Sequence, residues 1–499
     1  MFNMFDLLNS KEMQIADKET IDNGTPSILL MERAGKAIFN KIKKYINKED
    51  EVLIICSNGG NGGDGLVLAR YLFNEHYNVK VYLIKNCGKE DFNINLLKFK
   101  GEIITSLNDS KPKYIVDAIF GVGLNKEINE PIKSIIEYIN NLNAFVISVD
   151  IASGIDANNG LILGCAVKAN VTYAIEEYKI GHFLNYGKDY NLKVELVKIG
   201  IKKPAKNYLK SLSLKDLKIL FPKRNSLSNK GTYGHVAIIG GSKNYLGAPL
   251  ISLTSEMALR MGVGYSTLCI PSSLKEIYCL KPLECTYKYF LDTDGYINFD
   301  KDSLDELLNY DAIALGMGIG ISEEIYKIIK YLLQNYTHTL IIDADGLNTL
   351  AKFGVSVLKT KKCKVILTPH IGEFARLTNV SKDEILKNEL EISEEFARNF
   401  DCILCLKNNT TLITDGYNSY LNINALPSLA KAGSGDFLSG LILGLANKSE
   451  DLLFNVAASN FIFGLLSVEA SKEIDENSLL ITDLAKYISK VIRRIKDAK

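Results

Sequence analysis

Short apolar runs rich in β-forming residues alternate with helix-length segments along the whole chain, and this alternation limits the possible folds more than any other feature. Because the runs are apolar on both faces, they predict parallel sheets covered by helices on both sides, the α/β class. The predicted strands are Val52 to Cys56, Lys80 to Ile84, Ile115 to Asp117, Ala144 to Asp150, Val236 to Gly240, Asp311 to Leu315, Thr339 to Asp343, Lys364 to Thr368 and Cys402 to Leu406.

The length of the chain requires more than one domain, because 499 residues are too many for a single hydrophobic core. The segment from Lys198 to Phe221 carries lysines and a proline and has no strand-like core. We therefore predict two α/β domains, residues 1–208 and residues 209–499.

Composition favours a cytoplasmic protein that acts on small molecules. With 59 basic and 58 acidic residues, the net charge of +1 gives no electrostatic reason to expect nucleic acid or a membrane surface as a partner. The N-terminus has no secretory pattern, and we expect no apolar stretch of transmembrane length. The nine cysteines are scattered, and Cys402 and Cys405 lie in the apolar run CILCL, which favours a buried strand over a metal site.

A glycine-rich segment, Ser57 to Gly65 (SNGGNGGDG), joins the first of these predicted strands to a helical segment. Strand, glycine loop and helix in this order are typical of dinucleotide binding, in which backbone amides face phosphate. The polar residues Asp117, Asp150 and Ser153 follow later strands. Because the carboxyl ends of parallel strands meet at one crevice, these residues are expected to converge with Asn61. Such a set of oxygen ligands suits a hard cation, although each acid taken alone is by default a turn or helix cap.

The motifs GNGGDG, DAIFGVGL, VDIASGIDA and Lys179-Ile180-Gly181 resemble the NAD(P)H-hydrate epimerase family over nearly all of residues 1–200. The resemblance implies a Rossmann-like three-layer fold and interconversion of the R and S forms of hydrated NADH and NADPH (NADHX and NADPHX). It further implies potassium on Asn61, Asp117 and Ser153, with Asp150 as the acid/base. The implied substrate contacts are Gly60, Asn61, Gly62, Gly63, Asp64, Gly121, Val122, Gly123, Leu124, Asn125, Lys126, Glu127 and Asp150. Gly60 and Ala152 replace an asparagine and a proline of the family, and neither change removes an implied ligand or base.

In the second half, the turn Ala432-Gly433-Ser434-Gly435 ends in Asp436 and leads into an apolar, helix-length segment. Glycines allow close approach to a ligand, and a helix start offers free N–H groups and a positive dipole end to a phosphate. A carboxylate there would repel phosphate in a pure binding site. It makes sense as a base for a hydroxyl group that is being phosphorylated. The alternative is a glycine C-cap followed by an ordinary N-cap aspartate.

Further loops after predicted strands complete this second set of motifs, and glycines after several parallel strands indicate one crevice that holds phosphates. Lys407 can neutralise phosphate charge there, and the Pro-His-x-Gly turn favours His370 as a site residue. No G-x-x-x-x-G-K-[ST] segment is present, which excludes a P-loop phosphotransferase. The loops are Gly316 to Gly320, Asp343 to Asn348, Thr368 to Glu373 and Lys407 to Thr411.

The order of these motifs, from about Leu212 to beyond Ala446, is similar to the ribokinase-like fold and, within it, to the NAD(P)H-hydrate dehydratase family. The resemblance implies an ADP- or ATP-dependent return of S-NADHX or S-NADPHX to NADH or NADPH, with magnesium accompanying the nucleotide. The implied substrate contacts are Ala248, Gly318, His370 and the catalytic Asp436. The implied nucleotide contacts are Lys407, Asn408, Asn409, Thr410, Thr411, Gly433, Ser434 and Gly435. Asn408 replaces a glycine of the family, and we expect it to keep the loop by adopting left-handed backbone angles.

The leading hypothesis is therefore a bifunctional repair enzyme for hydrated nicotinamide cofactors. Spontaneous hydration gives both epimers, and a dehydratase alone would leave one of them unrepaired. Enzymes of this kind commonly assemble, so a homo-oligomer is expected. Two alternatives stay open at this point: a ribokinase-like kinase of a small alcohol, and an N-terminal domain that binds nucleotide without catalysis.

Overall fold

The computed structural model describes residues 4–206, 208–245, 248–278 and 284–498. It divides into two compact units. The N-terminal unit is Asp6–Tyr208, and the C-terminal unit is Leu209–Lys499 together with Met1–Phe5.

The described part of the N-terminal unit has nine strands, of which seven form an all-parallel sheet and two, Phe5–Leu8 and Tyr178–Lys179, lie outside it. Its strands are β1 (Phe5–Leu8), β2 (Val52–Cys56), β3 (Val79–Leu83), β4 (Glu102–Ile104), β5 (Tyr114–Ala118), β6 (Phe145–Val149), β7 (Val171–Ile175), β8 (Tyr178–Lys179) and β9 (Val194–Val197). Its helices are α1 (Ser10–Asp22), α2 (Ser27–Ile42), α3 (Gly60–Asn74), α4 (Glu90–Lys98), α5 (Ile132–Asn141) and α6 (Gly187–Tyr190). The order β4-β3-β2-β5-β6-β7-β9 reverses direction between β2 and β5, the point at which such sheets bind ligands, and β1 pairs with β8.

Helix α3 lies unusually close to the ends of β2 and β5, and its glycines make this contact possible. A Cβ atom on Gly62 would lie 1.8 Å from the carbonyl oxygen of Ser57, and one on Gly65 would lie 2.6 Å from the Cβ of Ala118. Any side chain at these positions would push the helix away from the sheet. The glycine loop of the sequence therefore brings the start of α3 to the crevice.

The C-terminal unit contains a second, larger α/β arrangement. Its strands are β10 (Leu209–Ser211), β11 (His235–Ile239), β12 (Tyr265–Pro271), β13 (Thr286–Phe290), β14 (Asp292–Thr293), β15 (Tyr296–Ile297), β16 (Ala312–Leu315), β17 (Thr339–Ile342), β18 (Lys364–Leu367), β19 (Ile403–Leu406), β20 (Thr411–Thr414) and β21 (Ser419–Asn422). Its helices are α7 (Ala248–Arg260), α8 (Lys275–Tyr278), α9 (Lys301–Leu307), α10 (Glu323–Asn335), α11 (Asp345–Phe353), α12 (Ile371–Thr378), α13 (Lys382–Lys387), α14 (Glu389–Phe400), α15 (Ser434–Leu445), α16 (Leu452–Ala470) and α17 (Ile488–Asp497).

The main sheet of this unit runs in the order β13-β12-β11-β16-β17-β18-β19-β20-β21-β10. Strands β13 to β19 in this order are parallel, whereas β20 is antiparallel to both of its neighbours. The order reverses between β11 and β16, which places the crevice at the carboxyl ends of these strands and of β17 to β19. Open, largely parallel sheets in both units confirm the predicted α/β class.

Helix α15 carries Asp436 in its first turn, and its position is fixed by tight packing on α7. A Cβ atom on Gly440 would lie 2.5 Å from the carbonyl oxygen of Thr254, and one on Gly444 would lie 2.6 Å from the Cβ of Met261. The two helices touch through these glycines, so α15 has little freedom to shift.

Helix α16 corrects one expectation from the sequence. It is 19 residues long with a hydropathy of 1.5, which is enough by length and composition to cross a membrane. However, 83% of its apolar window is buried within the structure. Phe463 of this helix stacks on Phe437 of α15 with ring centroids 5.4 Å apart. The helix is apolar all round because it lies inside the core.

All nine predicted strands are present to within one residue at each end, but others were missed. Strand β10 lies inside the Lys198 to Phe221 segment, which was expected to hold none. It is only three residues long, so its apolar pattern is too short to recognise. Cys402 and Cys405 are both buried and unpaired, Cys405 within β19, as predicted.

Candidate active sites

In the N-terminal unit, Asp117 is a fully buried carboxyl group at the end of β5. Its Oδ1 accepts hydrogen bonds from Ser153 Oγ at 2.6 Å and from the backbone N–H of Ile119 at 3.2 Å. Its Oδ2 accepts from Ser148 Oγ at 2.8 Å and from the N–H of Ser153 at 2.9 Å. Burial raises the pKa of Asp117, these donors oppose the rise, and no cationic side chain is among its partners. Ser153 Oγ also accepts the N–H of Phe120 at 2.8 Å. The two hydrogen bonds from Ser153 to Asp117 bring these residues together, as predicted.

Asn61, Gly121 and Asp150 meet on one side of this cluster. A Cβ atom on Gly121 would lie 3.2 Å from Asp150 Oδ2 and 3.3 Å from Asn61 Oδ1. The amide nitrogen of Asn61 is buried without a hydrogen-bond partner. The carboxyl ends of β2, β5 and β6 therefore bring the predicted polar groups to one crevice, as their sequence positions indicated.

Asp150 has a left-handed backbone, with φ of 69°, and its buried neighbours hold it there. The side chain of Lys179, only 1% exposed, forms a salt bridge with Oδ1, which also accepts the N–H of Ile175 at 3.1 Å. The N–H of Lys179 donates to Nδ1 of His182 at 3.0 Å, so the ring proton is on Nε2, which donates to the carbonyl oxygen of Asp150 at 2.8 Å. Burial and the charge of Lys179 lower the pKa of His182 to about 3, and the ring is neutral.

Two further carboxyl groups lie near Asp150. Burial, followed by the charges of Asp150 and Asp17, raises the pKa of Asp64 well above its ordinary value. Burial and the charge of Asp150 raise the pKa of Asp17, in helix α1, to about 6. The same helix contacts the loop of residues 121–127, because Ser10 Oγ donates to the carbonyl oxygen of Val122. The remainder of that loop, Gly123 to Glu127, is largely exposed.

In the C-terminal unit, the backbone turns sharply into α15 at Gly433, whose φ of 91° belongs to the left-handed region. Asp436 lies in the first turn of the helix and is half-buried, and its carbonyl oxygen accepts a hydrogen bond from Thr254 Oγ1 at 3.1 Å. Burial and the charge of Asp343 raise the pKa of Asp436 to about 7, although the backbone and Lys407 oppose the rise. A carboxyl group with this pKa can exchange a proton near neutral pH.

Asp343, at the end of β17, forms the ionic centre of this site and is only 2% exposed. Its Oδ1 accepts from Lys407 Nζ at 2.9 Å and its Oδ2 from Ser439 Oγ at 2.7 Å. Burial opposes ionisation of Asp343, but these partners outweigh it and hold its pKa below the ordinary value. A Cβ atom on Gly435 would lie 3.5 Å from both Asp343 Oδ2 and Lys407 Nζ, so the ion pair faces the glycine turn.

His370 caps helix α12. The N–H groups of Gly372 and Glu373 donate to its Nδ1 at 2.9 and 3.2 Å, so the ring proton is on Nε2. The side chain is 56% exposed, and burial with the charges of Lys407 and Arg376 lowers its pKa. The ring is therefore a neutral N-cap that can offer one N–H to a ligand.

The segment Lys407 to Thr411 joins β19 to β20, and the structure changes one expectation about it. Asn408 is not among the described residues with a positive φ, so the left-handed angle expected there is not used. Instead, its amide nitrogen donates to Glu389 Oε2 at 3.4 Å. Glu389 is 2% exposed, and burial raises its pKa to about 7. The side chain of Asn408 therefore packs toward α14.

The remaining predicted residues also lie at the carboxyl ends of the strands. Gly318 has φ of 59°, and a Cβ atom there would lie 2.9 Å from the Cβ of Tyr245. Ser434 Oγ donates to the carbonyl oxygen of Leu429. Ala248 is the first residue of α7, and its side chain lies outside the described part of the chain.

Four side chains in these sites were not assigned from the sequence: Lys179, His182, Asp343 and Ser439. Asp343 was detectable, because it follows a predicted strand just as Asp117 and Asp150 do. Ser439 lies three residues after Asp436 on a helix and so shares its face. Lys179 lies in the motif Lys179-Ile180-Gly181, which carries the family resemblance but assigns it no role. His182 follows β8, a strand of two residues that is too short to recognise.

Comparisons with known proteins agree with this two-unit organisation. Residues 236–494 match the family described as NAD(P)H-hydrate dehydratase, and residues 27–181 match the family described as YjeF-related protein N-terminus. A bifunctional NAD(P)H-hydrate repair enzyme of Dictyoglomus turgidum is 34% identical, covering 98% of this chain and 99% of that protein. Its counterpart in Moorella thermoacetica is 31% identical, covering 95% and 93%.

Among solved structures, the ADP/ATP-dependent NAD(P)H-hydrate dehydratase of Bacillus subtilis, co-crystallised with ATP and Mg²⁺, is 27% identical. The match covers 57% of this chain and 97% of that one, with a TM-score of 0.49. The two family matches fall on separate units, residues 236–494 on the C-terminal unit and residues 27–181 on the N-terminal unit. With relatives above 30% identity along nearly the whole chain, this protein belongs to the family of bifunctional NAD(P)H-hydrate repair enzymes.

Proposed function

We propose that this chain epimerises R- and S-NADHX and NADPHX in its N-terminal unit and dehydrates the S form in its C-terminal unit, at the expense of ADP or ATP. The observation that carries the proposal is Asp436, a carboxyl group with a pKa of about 7, beside the Asp343–Lys407 pair at a glycine turn. This arrangement combines a base with a cation for phosphate.

In the dehydration, Asp436 takes the proton of the substrate hydroxyl group. The hydroxyl oxygen of the substrate at the same time attacks the terminal phosphorus of the nucleotide. The bond from that phosphorus to the bridging oxygen breaks, and the nucleotide leaves with one phosphate fewer, AMP from ADP. The phosphate group then leaves with the electrons of the carbon–oxygen bond, and the neighbouring carbon loses a proton to water, which restores the ring double bond. Phosphorylation is useful because hydroxide leaves poorly and phosphate leaves readily.

For the C-terminal ligands, we assign the hydrated nicotinamide nucleotide to Ala248, Gly318, His370 and Asp436. His370 supports this role because its Nε2–H is not used in capping α12. The nucleotide is assigned to Lys407–Thr411 and to the turn Gly433–Gly435, where Lys407 supplies positive charge. Magnesium would come with the nucleotide phosphates, since the described residues contain no cluster of three or more acidic, His or Cys side chains for a metal.

In the epimerisation, Asp150 gives a proton to the departing hydroxyl group and takes one back from the water that adds to either face of the ring. Its Oδ2 supports this role because it points toward Asn61 and Gly121, while Oδ1 is held by Lys179. The substrate would lie along Gly60 to Asp64 and the loop Gly121 to Glu127.

Potassium fits the residues Asn61, Asp117 and Ser153, whose donor atoms include a carboxylate, a hydroxyl and an amide oxygen. Asp117 is a buried carboxyl group without a cationic partner, and a buried charge of this kind calls for compensation. Bound there, the ion would supply positive charge to the end of β5. The cytoplasmic location and the homo-oligomer stay predictions.

The test follows absorbance of the reduced nicotinamide after an R/S mixture of NADPHX is added with magnesium and ADP or ATP. Wild type should recover all NADPH, Asp150→Asn only the S fraction, and Asp436→Asn none. Failure of wild type with both nucleotides contradicts the proposal. A stable phosphorylated product from a small alcohol would instead favour the kinase alternative.

A further inference from the structure

Asp343 is assigned to neither ligand in the function proposed above, yet it contacts Lys407, Ser439 and the backbone that follows it. It lies between β17 and α11, and its carboxylate accepts Lys407 Nζ at 2.9 Å, the N–H of Ala344 at 2.8 Å and Ser439 Oγ at 2.7 Å. Ala344 has φ of 49°, an uncommon angle for a residue with a side chain. The backbone is therefore strained at the point where Asp343 turns into the site.

The first consequence concerns Lys407. Its side chain is only 21% exposed, and a charge so far removed from water is costly when it is unpaired. Asp343 compensates this charge, and the pKa of Lys407 is raised because the carboxylate outweighs the effect of burial. The Gly435 position lies beside both partners of the pair. The ammonium group is thus fixed next to the turn where a phosphate would bind.

The second consequence concerns Asp436. Its charged neighbours among the described residues are Asp343, after β17, and Lys407, after β19. Among the described side chains packed on α15, α7 contributes the hydroxyl of Thr254, and α16 stacks Phe463 on Phe437. Asp343 is therefore the only described anion that favours the protonated form of Asp436.

We propose that Asp343 is a positioning residue of the dehydratase reaction, which holds Lys407 at the phosphate site and places a second carboxylate beside the turn that carries Asp436. The inference rests on the proposed function. One aspartate serves both purposes because its two oxygens face different partners: Oδ1 accepts from Lys407, and Oδ2 accepts from Ser439, three residues after Asp436. During the reaction, the hydroxyl proton moves to Asp436 and Asp343 stays ionised.

The experiment compares wild type with Asp343→Asn in the full-length protein. The rate of NADPH formation from S-NADPHX is measured from pH 5.5 to 9, together with the KM for ATP and the Kd for ATP by calorimetry. In Asp343→Asn, the acid limb of the kcat profile should move down by about one pH unit, because a like charge has gone. The KM and Kd for ATP should rise about tenfold, because Lys407 has lost its anchor.

The matched control is Asp311→Asn, a carboxyl group at the opposite end of β16 that accepts the N–H of His235 at 2.7 Å. It should move neither quantity.

A second variant separates charge from folding. Asp343→Glu restores the negative charge with a longer arm, so the acid limb should return toward that of wild type while the KM for ATP stays raised. An unmoved acid limb and unchanged ATP affinity in Asp343→Asn, with only a lower melting temperature, would overturn the inference. If Asp343→Asn does not fold, an Asp343→Glu variant with normal ATP affinity overturns it. If wild type recovers no NADPH, the proposed function fails, and equal ATP Kd values for wild type and Asp343→Asn then refute the positioning role separately.

Discussion

Asp150 in the N-terminal unit and Asp436 in the C-terminal unit both lie near the carboxyl ends of sheet strands, but they differ in their charged partners. Each lies at the carboxyl end of a largely parallel sheet, near a lysine whose side chain is 1% exposed for Lys179 and 21% exposed for Lys407. In the N-terminal unit Lys179 binds Asp150 itself, whereas in the C-terminal unit Lys407 binds a second aspartate, Asp343. The comparison shows how one pair of residue types supports two kinds of carboxyl group. A salt bridge to lysine compensates the charge of Asp150, whereas burial and a neighbouring aspartate raise the pKa of Asp436.

The largest expected effect is the loss of dehydration rate on removal of the Asp436 carboxyl group. Asp436→Asn should lower the rate of dehydration by about 10²–10⁴, the range for loss of a general base. Epimerisation, followed by chromatographic separation of the R and S forms, should be unchanged. Loss of both activities would show that the two sites do not act independently.

Next in size is the lysine that pairs with Asp150. Lys179→Met leaves a buried carboxylate uncompensated and should destabilise the N-terminal unit by about 3 kcal/mol, as for other broken buried ion pairs. Epimerisation should fall with it, while dehydration of pure S-NADPHX continues. Lys198→Met is the matched control, because that side chain also pairs with carboxylates but is 54% exposed, whereas Lys179 is 1% exposed. Equal effects of the two variants in thermal denaturation would contradict the buried-pair interpretation.

The two units should also differ in their response to pH. Asp436 acts in its ionised form, and with a pKa of about 7 its rate should fall about tenfold for each pH unit below that value. His182 should not titrate over the same range, because its pKa is about 3. A dehydration rate that is flat from pH 5.5 to 9 would exclude Asp436 as the base.

The pKa shifts of His182 and Asp436 change the free energy of unfolding with pH in opposite directions. The pKa of His182 is lowered from about 6.5 to about 3 on folding, so its contribution is present above pH 6.5 and is lost as the pH falls toward 3. The pKa of Asp436 is raised from 3.8 to about 7, so its contribution is present below pH 3.8 and is lost as the pH rises through 7. Asp436→Asn should therefore stabilise the protein at pH 8 by about 1 kcal/mol in chemical denaturation. A destabilised variant would argue against a buried, poorly compensated carboxylate.

A further test concerns the metal. Potassium at 100 times its dissociation constant should stabilise the N-terminal unit by about 2.7 kcal/mol at most. Asp117→Asn should abolish the dependence, because the carboxylate charge that attracts the ion is gone. Melting temperatures in potassium chloride and in choline chloride of equal concentration provide the measurement. The same difference in Asp117→Asn as in wild type would contradict potassium binding at this site.

Much of each site was predictable because open parallel sheets obey a simple geometric rule. Asn61, Asp117 and Ser153 were placed together from their positions after strands, and so were His370, Lys407 and Asp436. The errors have physical causes. A glycine-to-asparagine difference suggested a left-handed angle at Asn408, whereas a buried partner, Glu389, is what the side chain contacts. Helix α16 reached membrane-spanning length because a helix surrounded by core needs no polar face.

The sequence by itself determined the α/β class and the loops that carry the chemistry, because strand patterns and glycine turns are local features. Only the tertiary structure decided which charges meet. Asp343 and Lys407 are 64 residues apart in the chain, and Asp150 and Lys179 are 29 apart. The state of a buried carboxyl group depends on such partners and on its exclusion from water, and both are set by packing between distant segments.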